Sequence, residues 1–158
     1  MSETFEGQCQ CGEVQYRVSG ESLTLFACHC QDCQRQSSSA FGMALWIRLQ
    51  QMQLKTGQPK LWVRKMPSRR EMECSFCPTC GTRLFHRLLG QTEIISIKPG
   101  TLNDTSSLQP VAHIWTSSVQ PWLHLDKDCL HYTGNPDDFQ TLFAAWKKQN
   151  LLNKTKEQ

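Results

Sequence analysis

Hydrophobic and polar residues alternate along several short stretches of the chain, and this alternation predicts β-strands. Val14, Tyr16 and Val18 are separated by polar residues, which is the period-two pattern of a strand buried on one face. Further apolar or alternating stretches predict strands at residues 43–49, 61–63, 82–86 and 93–98. Most of the chain is therefore expected to form β-structure.

A different periodicity near the C-terminus predicts one helix. Phe139, Leu142, Phe143 and Trp146 recur at the spacing of a helix face. The Asn-Pro-Asp-Asp segment at 135–138 offers an N-cap, a proline suited to the first helical position and two acids favoured at that end, so the helix is expected to begin there. Residues 150–158 are polar and are expected to form a C-terminal tail after a domain at residues 1–149.

The composition of the chain does not call for a nucleic-acid or membrane partner. The chain has 158 residues, of which 39% are hydrophobic and 20% charged, as in an ordinary globular domain with its own core. The net charge of +3 requires neither a nucleic acid nor a membrane. A basic cluster at Lys65, Arg69 and Arg70 is followed at once by Glu71 and Glu73, which favours a solvated loop over a nucleic-acid interface.

The N-terminal residues lack the basic region and apolar run of a signal peptide. No stretch reaches the roughly 18 apolar residues that a membrane helix needs. We therefore expect a cytoplasmic protein without a membrane partner.

Nine cysteines are the feature that changes the picture most. Seven of them stand in close C-x-C or C-x-x-C spacings, and the total is odd. In a reducing compartment such spacings indicate metal binding more than disulfides. A mainly β fold is therefore expected, in which short antiparallel strands surround zinc knuckles and form a compact single domain with a C-terminal helix.

The first set of cysteines consists of two distant pairs, Cys9 with Cys11 and Cys77 with Cys80. Four thiolates fit a closed tetrahedral zinc site, which staples two segments together and leaves no position for a substrate. Cys74 is close enough in sequence to Cys77 to be a competing ligand.

The second set, Cys28, Cys30 and Cys33, places three thiols within six residues. Three protein ligands leave a tetrahedral zinc one open position, which is the condition for catalysis or ligand exchange. His29, Cys74 or Cys129 could instead close the site as a fourth ligand. The spacing between two ligands favours a His29 side chain that points away from the metal.

Three motifs occur in order along the chain: G-x-C-x-C-G-x-V-x-Y at residues 7–16, C-H-C-x-D-C-x-R-Q-S-x-S-A-F-G at 28–42, and F-C-x-x-C-G-T-x-L at 76–84. With the later H-I-W-T-S-S at 113–118 and Q-P-W at 120–122, the sequence resembles the glutathione-dependent formaldehyde-activating enzyme family, which also contains the centromere protein V domain. The resemblance extends over most of the chain.

The resemblance implies a mostly β fold shared with a Rab-binding exchange-factor chaperone, and two zinc ions per chain. The structural zinc would be held by Cys9, Cys11, Cys77 and Cys80, and the catalytic zinc by Cys28, Cys30 and Cys33. The implied activity is that of a carbon–sulfur lyase, which joins a thiol such as glutathione to an aldehyde, as in the formation of S-hydroxymethylglutathione from formaldehyde.

Several other residues are candidates for the substrate site. Arg35, and less directly Lys98, could supply the positive charge that a zinc with four thiolates needs. His113, Ser117 and Trp122 could line a pocket, although packing or surface roles explain isolated residues of these types equally well. Residues 37–41, which follow the second set of cysteines, could form a pocket wall.

One other functional class remains open, and a second is disfavoured. A non-enzymatic zinc-binding module that docks a protein partner would have a closed second zinc and a large exposed apolar patch. A redox role for the cysteines is disfavoured because no βαβ pattern surrounds them.

Overall fold

The computed structural model of the protein describes residues 3–156. The chain folds into two compact units: the chain up to Ser22 together with Trp46–Ser107 forms one, and Leu23–Leu45 together with the chain from Leu108 onward forms the other. The assignment of residues 1–149 to one domain stays a prediction.

Strands dominate the described residues, which contain eleven strands and two α-helices. The elements are β1 (Thr4–Gln8), β2 (Gln15–Ser19), β3 (Thr24–Cys28), α1 (Gln31–Ser37), β4 (Gly42–Arg48), β5 (Met52–Thr56), β6 (Lys60–Lys65), β7 (Glu71–Phe76), β8 (Arg83–Leu88), β9 (Ile94–Ile97), β10 (Ala112–Ile114), β11 (Leu130–His131) and α2 (Gln140–Lys156). The predicted mainly β fold with a C-terminal helix is confirmed. Neither helix combines the length and the apolar character of a membrane span.

The first unit is built from antiparallel strands. β2 lies between β1 and β5, and β6, β7, β8 and β9 lie side by side in sequence order, a group called here the β6–β9 region. Tyr16 and Val18 are fully buried, as the alternation in β2 predicts, and the Tyr16 ring meets Phe85 edge-on at 4.9 Å between centroids. The core of this unit therefore fixes β2 and β8, the strands that follow the two pairs of cysteines.

The second unit contains parallel pairs. β10 pairs in parallel with β3 on one side and with β11 on the other. All five residues of β3 are buried, as is typical of a strand covered on both faces. Phe139 at the start of the C-terminal segment packs on Phe26 of β3, and Leu142 of α2 is fully buried.

The C-terminal helix begins later than the sequence predicts, at Gln140 instead of near residue 135. Asp138 provides the cap, because its Oδ1 accepts a hydrogen bond from the Gln140 amide at 2.8 Å. Asn135 is used elsewhere: its Oδ1 accepts from the indole nitrogen of Trp115 at 2.8 Å. The helix continues through Lys156, and the last two residues of the predicted tail, 157–158, lie outside the described residues.

Candidate metal centres

Four cysteine sulfurs from two loops meet in the first unit. Cys9 and Cys11 follow β1, and Cys77 and Cys80 follow β7. All four Sγ atoms lie within 4.8 Å of one another, with 3.5 Å between Cys9 and Cys11 and 3.8 Å between Cys11 and Cys77. The sequence-predicted set of four is therefore brought together.

A glycine closes each of the two loops. The Gly12 amide donates to the Cys9 carbonyl at 3.0 Å, and the Gly81 amide donates to the Cys77 carbonyl at 2.9 Å. Both glycines have left-handed φ angles, 80° and 76°, which side chains with a Cβ rarely adopt. Each loop thus turns back on itself at its glycine, and each presents its pair of sulfurs to the other.

Thr82 connects the two loops. Its hydroxyl accepts a hydrogen bond from the Gln10 amide at 3.1 Å and lies 3.1 Å from Cys80 Sγ. The hydroxyl and then the main-chain amide of Thr82 lower the pKa of the Cys80 thiol to about 5. This environment favours the thiolate, which is the form that binds a metal.

Two of the distances between the four sulfurs match the spacing around a tetrahedral metal ion. Zinc with sulfur ligands at about 2.3 Å requires neighbouring sulfurs about 3.8 Å apart. The distances of 3.5 Å and 3.8 Å agree with this requirement before any ion is added. These cysteines could hold a metal ion with its coordination complete.

The second cluster is formed in the second unit by three cysteines at the junction of β3 and α1. Cys28 ends β3, Cys30 is the N-cap of α1, and Cys33 lies in the first turn of that helix. Their sulfurs lie within 4.8 Å of one another. The Cys33 amide donates to Cys30 Sγ at 3.3 Å and the Gln36 side-chain amide donates to Cys33 Sγ at 3.5 Å, so two donors already face the sulfurs.

The three thiols strongly influence one another. Contacts with Cys28 and then with Cys33 lower the pKa of Cys30 to about 2, whereas Cys30 and Cys33 raise the pKa of Cys28. Three thiolates this close repel one another unless a cation neutralises them. The cluster could therefore hold a metal ion, and an all-sulfur donor set suits zinc.

A fourth protein ligand does not join the three cysteines among residues 3–156. The His29 Nε2 atom pairs with His113 Nδ1 at 2.9 Å, consistent with the expected orientation away from the sulfurs. Cys129 Sγ donates to the Pro110 carbonyl at 3.1 Å. Cys74 belongs to neither cluster, and its Sγ lies 3.7 Å from the Met72 carbonyl.

A chain of amide hydrogen bonds supports the loop between Cys28 and Cys30, and the sequence did not predict it. The carbonyl of His29 accepts from Gln34 Nε2 at 2.8 Å and from the Ser118 hydroxyl at 3.1 Å. Gln120 Nε2 donates to Gln34 Oε1 at 3.1 Å, and the Trp122 indole donates to Gln120 Oε1 at 2.7 Å. The Gln-Pro-Trp motif was the available signal, but only the folded chain shows what its glutamine contacts.

The three residues that the sequence suggested as pocket lining lie in different environments. His113 lies between His29 and His131, Ser117 donates its hydroxyl proton to the Thr133 carbonyl at 2.7 Å, and Trp122 is 65% exposed. The hydrogen bond of Ser117 to the main chain favours a structural role over pocket lining. The exposure of Trp122 rules out a role in the core.

A shallow, open depression lies beside α1. Its lining consists of Gln34, Arg35, Ser38, Ser39, Ala40 and Gln120. Arg35 is exposed, 3.9 Å from Asp32 in an ion pair. The segment 37–41, expected to form a pocket wall, thus contributes three residues to this depression, while Ser37 donates its hydroxyl proton to the Cys33 carbonyl at 2.7 Å and Phe41 packs on His29.

Comparison with known proteins agrees with the family resemblance seen in the sequence and with the fold. The family model of the glutathione-dependent formaldehyde-activating enzyme matches residues 4–118. The crystal structure of a Rhodobacter sphaeroides protein resembles this chain at a TM-score of 0.50 and 24% sequence identity, over 65% of this chain and 91% of that chain, which supports the fold alone. No curated protein sequence matches the chain.

Proposed function

Because this chain belongs to the glutathione-dependent formaldehyde-activating enzyme family, we propose that it is a zinc-dependent enzyme of the carbon–sulfur lyase type. Its substrates would be glutathione or a related thiol and an aldehyde, and the product an S-hydroxymethyl adduct when the aldehyde is formaldehyde. The observation that carries this proposal is the contrast between a cluster of four cysteines and a cluster of three.

The two clusters would have different roles. Cys9, Cys11, Cys77 and Cys80 would hold a structural zinc, since four sulfur ligands complete a tetrahedral site. Cys28, Cys30 and Cys33 would hold a catalytic or exchangeable zinc, since three ligands leave one position open. In that position the ion would stabilise the thiolate form of the substrate sulfur at neutral pH.

The reaction balances without an oxidant or a reductant. The sulfur of the thiol attacks the carbonyl carbon of the aldehyde and forms the sulfur–carbon bond. The electron pair of the carbonyl π bond moves to oxygen, which takes up one proton, and the thiol has lost one proton. Addition of glutathione to formaldehyde thus yields S-hydroxymethylglutathione as the sole product.

The chain contributes charge and binding surface to this step. A thiolate added beside three cysteine thiolates increases the local negative charge, and the Arg35 guanidinium on α1 is suited to offset it. The polar depression lined by Arg35, Ser38, Ser39 and Gln120 offers hydrogen-bonding groups for a peptide-like thiol. A reducing cytoplasm would keep both the cysteines and the substrate thiol in the required state.

The experiment that tests the proposal measures zinc content and adduct formation together. Zinc-loaded protein is mixed with glutathione and formaldehyde, and the adduct is followed by NMR against the uncatalysed rate. We expect two zinc ions per chain and a rate above the uncatalysed one. Cys33→Ser should retain one zinc and lose the acceleration, whereas Cys129→Ser, outside both clusters, should retain two zinc ions and the activity. A wild-type rate in Cys33→Ser would contradict the mechanism.

A protein-interaction module is the second candidate, and one observation favours it. Leu61, Trp62 and Val63 on β6, at the outer end of the β6–β9 region, are 62%, 52% and 43% exposed. An edge strand with exposed apolar side chains can pair with another chain. This role predicts that glutathione alters neither the zinc content nor the spectrum of a cobalt-substituted protein, whereas the enzymatic role predicts a change.

A further inference from the structure

The register of the β6–β9 region aligns four side chains on one face. Trp62 pairs with Cys74, Cys74 with His86, and His86 with Ser96. Directly paired residues on neighbouring strands point to the same side of a sheet, so these four form a row across the strands. The Arg83 guanidinium lies over the Trp62 ring, 5.8 Å from its centroid, and therefore belongs to the same face.

Three polar atoms on this face are buried and have no hydrogen-bond partner among the described residues. They are Arg83 Nε, His86 Nδ1 and Ser96 Oγ. Ser96 is only 3% exposed, so bulk water does not readily supply the missing partner. A buried polar atom left without a partner is destabilising, and native proteins satisfy nearly all of them with protein, water or ligand.

The charged side chains that act on His86 on this face are all positive. The charges that act on His86 come from Lys98, Arg83 and Arg64, and all three are positive. The acidic Glu73 is one residue from Cys74 along β7 and forms an ion pair with Arg87, on the opposite face. Positive charges together with three unsatisfied groups that can donate hydrogen bonds suit an acceptor with negative charge.

We propose that this face binds a small oxyanion, a carboxylate or a phosphate group, through Arg83, His86 and Ser96, with Arg64 and Lys98 supplying further positive charge. The site does not depend on the proposed aldehyde chemistry. Arginine is suited to the role because its planar guanidinium can donate two parallel hydrogen bonds to such a group. The anion would satisfy the three atoms that the protein leaves without partners.

The protonation of His86 provides a readout within the site. Burial, and then the charges of Lys98, Arg83 and Arg64, lower the pKa of His86 well below its ordinary value. Cys74, its neighbour across the strands, also faces it. A bound anion would partly cancel the three positive charges, so it should raise the pKa of His86 towards its ordinary value.

The experiment titrates the zinc-loaded protein with inorganic phosphate and, separately, with S-methylglutathione, which carries carboxylates but no free thiol. Ionic strength is held constant, and the histidine side-chain resonances are followed by NMR. We expect saturable changes at His86 with one or both probes, and a higher pKa of His86 at saturation. Response to phosphate alone would identify a phosphate-type ligand, response to S-methylglutathione alone a carboxylate, and either result supports the site.

Variants separate this site from general charge effects. Arg83→Gln should weaken binding about tenfold, since it removes a charge-assisted hydrogen bond. Ser96→Ala, which removes only a hydroxyl, should weaken anion binding about threefold. This variant provides the test if Arg83→Gln does not fold. Lys65→Gln removes one charge from the opposite face of β6 and should leave binding unchanged.

Loss of the second cysteine cluster should not affect anion binding. Cys33→Ser should bind the probe as the wild type does, even if that variant has lost its metal and its activity, so failure of the anion site and failure of the proposed enzyme are distinguishable. Absence of a saturable response at His86 with both probes would overturn the anion site. Equal affinities in the wild type and in both site variants would overturn it as well.

Discussion

The side-chain amide of Gln34 donates a hydrogen bond to the main-chain carbonyl of His29 across 2.8 Å. Gln34 belongs to α1, one residue after Cys33, and His29 lies between Cys28 and Cys30. The bond therefore ties the helix that carries Cys33 to the residue that separates Cys28 from Cys30. Groups of this kind orient metal ligands without touching the metal.

Gln34→Leu should selectively weaken metal binding at the second cluster. The substitution keeps a similar volume but removes the donor to His29, so the loop loses a restraint on its conformation. Loss of such supporting bonds typically lowers metal affinity about 10-fold to 100-fold. Competition with a chromogenic zinc chelator measures this, and the four-cysteine site should remain unaffected.

The matched control for this prediction is Gln53→Leu, the same substitution at an exposed position of β5. It should leave both metal affinities unchanged. If Gln34→Leu binds its second metal as tightly as Gln53→Leu does, the hydrogen bond to His29 has no role in the site.

The grouping of the seven cysteines could be predicted from the sequence because each half of a cluster is local. A C-x-C or C-x-x-C spacing places two sulfurs on one turn, and Gly12 and Gly81 mark the turns themselves. Pairing of the two distant halves then follows from ligand number, since four sulfurs complete one site. The metal-ligand roles of these residues stay a proposal.

Contacts that depend on strand register could not be predicted in this way. The row of Trp62, Cys74, His86 and Ser96 requires the pairing of four strands, and a shift of one residue in any of them would turn a member to the other face. The contact between His29 and His113 requires the parallel pairing of β10 with β3, across more than 80 residues of sequence. Alternation of polar and apolar residues identifies strands but does not identify their partners.

Gly81→Ala should destabilise the protein and also loosen the four-cysteine site. The Gly81 φ angle of 76° is unfavourable for alanine by about 1–2 kcal/mol, although an added Cβ would meet no atom within 4 Å. The strain falls on the turn that holds Cys77 and Cys80, so removal of its metal by a chelator should be faster. Urea unfolding and the chelation rate measure the two effects.

Gly90→Ala separates strain from metal binding. Gly90 has a φ angle of 82°, and a Cβ there would also meet no atom within 4 Å, but it lies in the turn after β8, away from the four cysteines in sequence. Gly90→Ala should lower the free energy of unfolding about as much as Gly81→Ala does, and it should keep the wild-type rate of metal removal by the chelator. Equal chelation rates in the two variants would show that the Gly81 turn does not control the site.

The two proposed zinc ions should leave in a fixed order when a chelator is added. The cluster of Cys28, Cys30 and Cys33 has three ligands, so a chelator or a thiol can bind the zinc at its open position before any cysteine dissociates from it. The four-cysteine site lacks such a position and should release its zinc more slowly. We expect two phases of zinc release, with the fast phase absent from Cys33→Ser and retained in Cys129→Ser. A fast phase that persists in Cys33→Ser would mean that the order is reversed.

His86 should make stability depend on pH in buffers without phosphate. Its pKa is lowered in the folded protein, chiefly by burial and then by Lys98, Arg83 and Arg64, whereas in the unfolded chain it returns to about 6.5. Below that pH the unfolded state binds the extra proton, so the free energy of unfolding falls as the pH falls, by up to about 1.4 kcal/mol per pH unit. Above pH 6.5 or so the contribution is constant.

Substitution of His86 isolates this contribution from the other groups that titrate in acid. His86→Gln should show a shallower loss of stability than the wild type as the pH is lowered below about 6.5, whatever its stability at neutral pH. His124→Gln, at an exposed histidine of the second unit, should follow the wild-type curve. Urea unfolding at a series of pH values measures the difference. Parallel curves for the wild type and His86→Gln would mean that His86 takes up its proton equally in the folded and unfolded states, and that burial and the nearby positive charges do not keep it neutral.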